Sequence, residues 1–273
     1  MREIGLEEHK RLQLEILKVF ADFCDKNSLK YFLAYGSLIG AIRHKGFIPW
    51  DDDIDVQMPR EDYNKMIATF NEQCEVGYIR AVCPYDSNSR HPIVKIQDTR
   101  TVKIEKGTWY EAENYLGVAI DIFPLDGEPE DEAEYKEWYA SLMQIYKNYN
   151  YQNMSISGRS WKRKLALPLM KMVSGSKKSN LDKAAEMHSK YKYDECNYIG
   201  TIECSINEIN ERHSKKCFEK SVKVPFEGYE FDAPVGYDEV LRDIYGDYMQ
   251  LPPEDQRTGH RIDELYWKDE YCE

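Results

Sequence analysis

Four aspartates fall within five positions at Asp51-Asp52-Asp53-Ile54-Asp55, and the run passes directly into the apolar alternation of Ile54, Val56 and Met58. Alternation at period two marks a strand with one face in a core, so Asp53 and Asp55 are expected to share the opposite face, side by side. Like charges that close repel unless a cation lies between them, and a hard divalent ion such as Mg²⁺ or Mn²⁺ suits oxygen ligands. The strand must then belong to a sheet whose other face opens into a site. A calcium loop is the competing explanation, but it needs Gly at its sixth position and Glu at its twelfth, where this chain has Val56 and Asp62. Asp51 and Asp52 read as supporting residues that cap the turn.

Two further segments bear on the same site. In Gly117–Phe123 the apolar residues Val118, Ile120 and Ile122 mark a buried strand, so Asp121 must face something that stabilises its charge, and it is the expected third carboxylate. Lys95 lies between Val94 and Ile96, where an ammonium without a role would be costly. Upstream, Tyr31-Phe32-Leu33-Ala34-Tyr35 predicts a buried strand broken by Gly36-Ser37, after which Leu38–Arg43 predicts a short helix. A strand, a tight turn and a helix N-terminus present unpaired N–H groups and suit a phosphate.

The remaining pattern is mixed α/β. Leu12, Ile16, Val19, Phe20 and Phe23 predict an amphipathic helix from residue 6 to about 26, and Pro59 starts a helix carrying Tyr63, Met66, Ile67 and Phe70 inward. Ile93–Ile96 and Thr101–Ile104 are expected to pair around a turn near Asp98, and Val222–Phe226, Tyr229–Phe231 and a helix from Asp238 to Tyr245 follow. Between them an aromatic stripe (Tyr135, Trp138, Leu142, Tyr146, Tyr149) predicts a core-facing helix. We divide the chain into a catalytic core over 1–128, a helical insertion over 129–195 and a C-terminal part over 196–273 that completes the core and the substrate site.

A net charge of −12 disfavours nucleic acid as a partner. Seven cysteines at irregular spacing read as reduced thiols, and Cys196, Cys204, His213 and Cys217 lack the Cys-x-x-Cys pair of a zinc site. The acidic N-terminus does not resemble a signal peptide and no apolar stretch approaches ~20 residues, so a cytoplasmic protein is expected. One segment departs from the acidic balance: Arg159 to Lys178 holds seven basic residues, no acid, and Trp161, Leu165 and Leu169 among them. It suits an anionic membrane surface at the inner face of the membrane, an anionic glycan, or simply a solvated helix face.

The run Tyr35-Gly36-Ser37-Leu38-Ile39-Gly40-Ala41-Ile42-Arg43-His44-Lys45-Gly46-Phe47-Ile48-Pro49-Trp50-Asp51-Asp52-Asp53-Ile54-Asp55-Val56 resembles the signature of the LicD family, relatives of fukutin within the nucleotidyltransferase superfamily. Ile120–Asp126 and Tyr245-Gly246-Asp247-Tyr248-Met249 are similar to later family segments, so the likeness spans nearly the whole chain. It implies a nucleotidyltransferase-like mixed β-sheet flanked by helices, with a helical insertion.

It also implies transfer of a phospho-alcohol, typically phosphocholine from CDP-choline or the equivalent from another CDP-alcohol, to a sugar hydroxyl of a lipid-linked cell-surface glycan or teichoic acid precursor, with release of CMP. Asp53, Asp55 and Asp121 would hold one or two Mg²⁺ ions, with Asp121 accepting the acceptor's proton. Gly36 and Ser37 would cradle a phosphate, with Arg43, His44 and Lys95 adding positive charge. Trp50 would stack on cytosine or face a choline ammonium. Tyr245, Asp247 and His260 are carried over as substrate contacts. The competing functions are a conventional nucleotidyltransferase acting on a nucleoside triphosphate and an inactive glycan- or nucleotide-binding module.

Overall fold

The computed structural model describes residues 1–86, 91–104, 116–155, 160–202, 211–257, 259 and 264–272. In chain order its elements are β1 (Arg2–Glu3), α1 (Leu6–Lys26), β2 (Phe32–Leu33), α2 (Tyr35–Ile39) continuing into a π-helical turn (Gly40–His44), β3 (Asp55–Pro59), α3 (Arg60–Gln73), β4 (Ile79–Val82), β5 (Val94–Asp98), β6 (Thr101–Ile104) and β7 (Ala119–Glu128). The insertion supplies α4 (Glu132–Asn153), α5 (Trp161–Val173) and α6 (Lys177–His188). After it come β8 (Tyr198–Gly200), β9 (His213–Ser214), β10 (Ser221–Phe226), β11 (Tyr229–Pro234), α7 (Tyr237–Tyr245) and β12 (Glu264–Trp267). The chain is mixed α/β.

Among the described residues the central sheet has the order β2-β3-β7-β5-β4, with β8 and β9 continuing from β7. Only β3 and β7 run parallel along that path. One face of the sheet is covered by α1 and α3, because Leu12, Ile16 and Phe20 of α1 and Met66 and Phe70 of α3 join Val56, Met58, Ile120 and Ile122 in one core. Phe23 and Phe70 meet edge to face at 4.8 Å and tie the two helices together. Pro59, whose missing N–H costs nothing at a helix start, ends β3 and caps α3 at φ −49°.

In the insertion, Asp131 caps α4 by accepting from the Ala133 and Glu134 N–H groups at 3.0 and 2.9 Å. Tyr135, Trp138, Leu142 and Tyr146 then bury against Ala184 and Ile202, a cluster separate from the main core. A second antiparallel sheet, β1-β12-β6, joins the first strand of the chain to its last, and β10 and β11 form a hairpin. Among the described residues no helix is long and apolar enough to cross a membrane.

Three local expectations are corrected. β5 and β6 are not partners: β5 lies between β4 and β7, while β6 pairs with β12. Both edges of β5 are taken, and the Asp98 turn sends the chain out of the sheet. There the Asp98 carboxylate accepts from the Arg100 N–H at 2.9 Å, and the Thr101 hydroxyl donates to the Asp98 carbonyl at 2.8 Å. Gly117 fits beside this turn because a Cβ would collide with Thr101. Second, the strand predicted over Tyr31–Tyr35 shrinks to Phe32–Leu33 and the helix begins at Tyr35, so Gly36 and Ser37 lie inside its first turn. Third, β3 begins at Asp55, so Asp53 stands just ahead of the strand rather than in it.

Candidate active site

The sheet places three of the predicted residues in one row. Asp55 on β3 is the register partner of Asp121 on β7, and Asp121 in turn faces Lys95 on β5. Residues paired across strands share a face, so two carboxylates and an ammonium stand side by side opposite the face covered by α1 and α3. Lys95 Nζ donates to Asp121 Oδ1 at 2.5 Å, with the two side chains 14% and 25% exposed. Asp53, two residues ahead of β3, shares a side-chain hydrogen bond with Asp51.

Charge in this cluster is poorly balanced. Burial, then Asp51, then Asp121 and Asp52, lift the Asp53 carboxyl to about 8. Burial also lifts Asp55 well above the carboxylate range, with Asp53, Asp121 and Asp51 adding to it and Lys95 opposing. The aspartates thus crowd more negative charge into low dielectric than the neighbouring ammonium offsets. Asp53, Asp121 and Lys95 open into a cavity of about 180 Å³ that Asp52, His9, Gln13, Lys103 and Leu265 also line.

The Gly-Ser turn supports this arrangement from behind. The buried Ser37 hydroxyl accepts the Asp55 N–H at 2.9 Å, fixing the start of β3. Gly36 is packed so closely on Asp51 that a Cβ would collide with its Oδ2. Tyr35 adopts a left-handed φ of 46°, an unfavourable conformation for a bulky residue. Its hydroxyl holds it there, donating to the buried Glu211 carboxylate and accepting from Gln57 Nε2 at 3.2 Å. Gln57 also reaches Thr201 Oγ1 at 3.0 Å, so the turn is tied to β3 and to the C-terminal part.

The remaining predicted residues lie elsewhere. Arg43 is turned away from the aspartates, donating to the Tyr248 and Gln250 carbonyls at 2.5 and 3.3 Å and to His44 Nε2 at 2.9 Å. Burial and the Arg43 charge lower the His44 pKa. The His44 ring meets Trp50 edge to face at 6.4 Å, and the Arg257 guanidinium lies 5.3 Å from the Trp50 ring centre. These residues form a group of their own beside the acidic turn. Tyr245 and Asp247 are exposed around Gly246 (φ 66°), whereas Tyr248 is buried and donates to Asp238 at 2.8 Å. His260 lies outside the described residues.

Several lining residues went unpredicted. His9 and Gln13 sit four apart on the buried stripe of α1, where Gln13 Nε2 donates to the Ala119 carbonyl at 3.0 Å. Polar residues on an apolar stripe were the available signal. Lys103 alternates with Val102 and Ile104 just as Lys95 does with its neighbours.

As the side chains stand, no group of three His, Cys, Asp or Glu among the described residues is placed to hold a metal ion. Asp121 is held by Lys95, and Asp53 shares a side-chain hydrogen bond with Asp51. The donor chemistry nonetheless fits a hard divalent cation: carboxylate oxygens from Asp53, Asp55 and Asp121 in a negatively biased cleft.

Residues 28–151 match the family model described as LicD/FKTN/FKRP, nucleotidyltransferase domain. Over 274 residues the chain is 32% identical to lipopolysaccharide cholinephosphotransferase LicD of Haemophilus influenzae, covering 97% of this chain and 99% of that protein. Uncharacterized proteins of Rickettsia typhi and Rickettsia prowazekii are 41% and 42% identical over 82 and 79 residues, 29% of this chain in each case and 26% and 30% of those proteins.

Proposed function

The chain belongs to the LicD family, and on that premise we propose that it is a phosphotransferase that moves phosphocholine from CDP-choline to a sugar hydroxyl of a lipid-linked glycan precursor, of lipopolysaccharide or teichoic acid type, in the cytoplasm and with Mg²⁺. The observation that carries this reading is the row of Asp55, Asp121 and Lys95 across β3, β7 and β5, with Asp53 beside it, and the opening of Asp53, Asp121 and Lys95 into one cavity. Full-length similarity to a protein named as a cholinephosphotransferase supports the group transferred.

In this reaction the acceptor oxygen attacks the phosphorus that carries choline, the bond from that phosphorus to CMP breaks, and CMP leaves with the electron pair. Little covalent chemistry is asked of the protein; alignment and charge stabilisation dominate. Asp53, Asp55 and Asp121 would hold Mg²⁺, which when bound neutralises the diphosphate and polarises its phosphorus–oxygen bonds. Lys95 and Lys103 add positive charge at the same cleft. Asp121, which lines the cavity with a partly exposed side chain, accepts the hydroxyl proton, and Lys95 orients it. Ser37 fixes Asp55 through its main chain.

The test is product identity. The protein is incubated with Mg²⁺, a glycan precursor and, in parallel, CDP-choline, CDP-ribitol, CDP-glycerol or a nucleoside triphosphate. CMP released from CDP-choline only when an acceptor is present supports the proposal. Pyrophosphate from the triphosphate, without CMP from any CDP-alcohol, overturns it in favour of a conventional nucleotidyltransferase.

A further inference from the structure

Helix α5 packs on the protein in the opposite sense to an ordinary surface helix. Of its residues only Leu167 is buried, while Trp161, Leu165, Leu169 and Met172 are 69%, 72%, 59% and 74% exposed. At about 100° per residue these four side chains fall within roughly an 80° arc on one side of the helix. Leu167 lies well away from that arc. Lys162 borders it on one side, with its Nζ 5.7 Å from the Trp161 ring centre, and Lys164 and Lys171 border it on the other. The α5 residues include no acid, in a chain of net charge −12.

The outward face is held in place. Gln152 of α4 donates to the Lys171 carbonyl at 2.7 Å and to Ser174 Oγ at 2.6 Å, and Asn180 of α6 donates to the Ser174 carbonyl at 2.9 Å. These bonds fix the C-terminal end of α5 between its two neighbours, so the apolar arc is presented by a braced helix. Its length, 13 residues, gives about 20 Å of contact.

From this geometry we infer that α5 is an interfacial helix: its apolar arc enters the outer layer of an anionic lipid bilayer, and the flanking lysines reach the lipid phosphates. An apolar face bordered by cations on long stems suits that boundary, because the stems lie along apolar surface while the ammonium groups stay with the headgroups. Charge complementarity selects anionic lipid: a cationic helix on an acidic protein is drawn to a negative surface that repels the rest of the molecule, which orients the docking. Since no helix among those described can span the membrane, the contact is peripheral. It rests on the proposed activity only for its purpose, bringing the cleft to a lipid-linked acceptor.

Vesicle sedimentation with the full chain tests it without any turnover. Wild type is expected to pellet with vesicles of phosphatidylcholine and phosphatidylglycerol and to remain in solution with phosphatidylcholine alone. Lys162→Glu with Lys164→Glu should weaken partitioning by about tenfold or more. Leu165→Gln with Leu169→Gln, which keeps helix-forming residues at exposed positions, should weaken it while leaving the melting temperature unchanged. Equal partitioning of wild type and both double variants, or wild type remaining in the supernatant with anionic vesicles, overturns the assignment. CMP release during transfer to a water-soluble acceptor is assayed separately, so vesicle binding without CMP removes the activity and leaves the docking, and CMP without vesicle binding does the reverse.

Discussion

Strand β7 carries two aspartates five residues apart that live under opposite electrostatic conditions. Asp126 is closed off: Arg60 grips it with Nε and Nη2 at 2.6 and 2.5 Å, His188 Nδ1 stands 3.1 Å away, and only 1% of the side chain is exposed. Burial alone would raise its pKa, yet the Arg60 and His188 charges hold it below the usual value. Asp121, at the other end, has Lys95 on one side and Asp55 and Asp53 on the other, and the carboxyls of those two neighbours are pushed up. The first cluster is balanced and joins α3 to the helical insertion. The second carries surplus negative charge beside a cavity, the condition that the proposed cation would relieve.

The comparison can be broken most sharply by neutralising one aspartate in each cluster. Asp55→Asn should lower CMP release by on the order of a thousandfold, with a melting temperature equal to or above wild type, since it removes crowded charge. Asp126→Asn should do the opposite, costing about 3 kcal/mol in denaturant unfolding by leaving Arg60 poorly matched, with CMP release by the folded fraction unchanged. An active Asp55→Asn enzyme, or an Asp126→Asn variant as stable as wild type, would end the distinction.

Smaller effects sharpen it. Lys95→Met removes the ammonium that orients Asp121 and should reduce CMP release by roughly ten- to a hundredfold, with little change in KM if Lys95 acts chiefly through the carboxylate. The pH response should differ in sign between the clusters. Asp53 ionises in the folded protein at about 8, against ~3.9 in an unfolded chain. The stability it contributes is therefore whole below ~pH 4 and is lost as pH rises toward 8. Asp126, with its pKa lowered, contributes stability present above ~pH 4 and lost as pH falls through its folded value. In chelator the wild-type melting temperature should thus decline from pH 5 to 8. Asp53→Asn should flatten that decline in part, because Glu128, which burial lifts to about 8, contributes to the same slope. Mg²⁺ should raise the melting temperature more at pH 8 than at pH 5, and an equal response at both would argue against a carboxylate-held ion.

The sequence was most legible where one pattern determined one environment. The 21 residues of α1 repeat a single apolar stripe and fold as that stripe requires. A charged residue set between two apolar neighbours on a strand led to Asp121 and Lys95, which do face each other. Pairing was not legible, because β6 carries the same alternation whether it lies beside β5 or beside β12, and the Asp98 turn that separates them depends on Thr101 and Gly117. The bonds from Tyr35 to Gln57 and Glu211 join residues distant in the chain, and no local period encodes them. Arg43 read as a charge beside a phosphate because it follows the Gly36-Ser37 turn in the family-like run, but the carbonyls of Tyr248 and Gln250 compete for it through tertiary packing.

The pairing of β1 with β12, which sets Arg2 opposite Trp267, has a consequence for how the molecule comes into being. Leu265 on β12 and Lys103 on β6 are register partners and both line the cavity. During synthesis the aspartates emerge early, but the wall beside them cannot close until the segment around residue 265 has left the ribosome and found strands made long before. So long a loop closes slowly. The acidic centre therefore stands without its finished cavity wall until β12 has been made and has paired with β6.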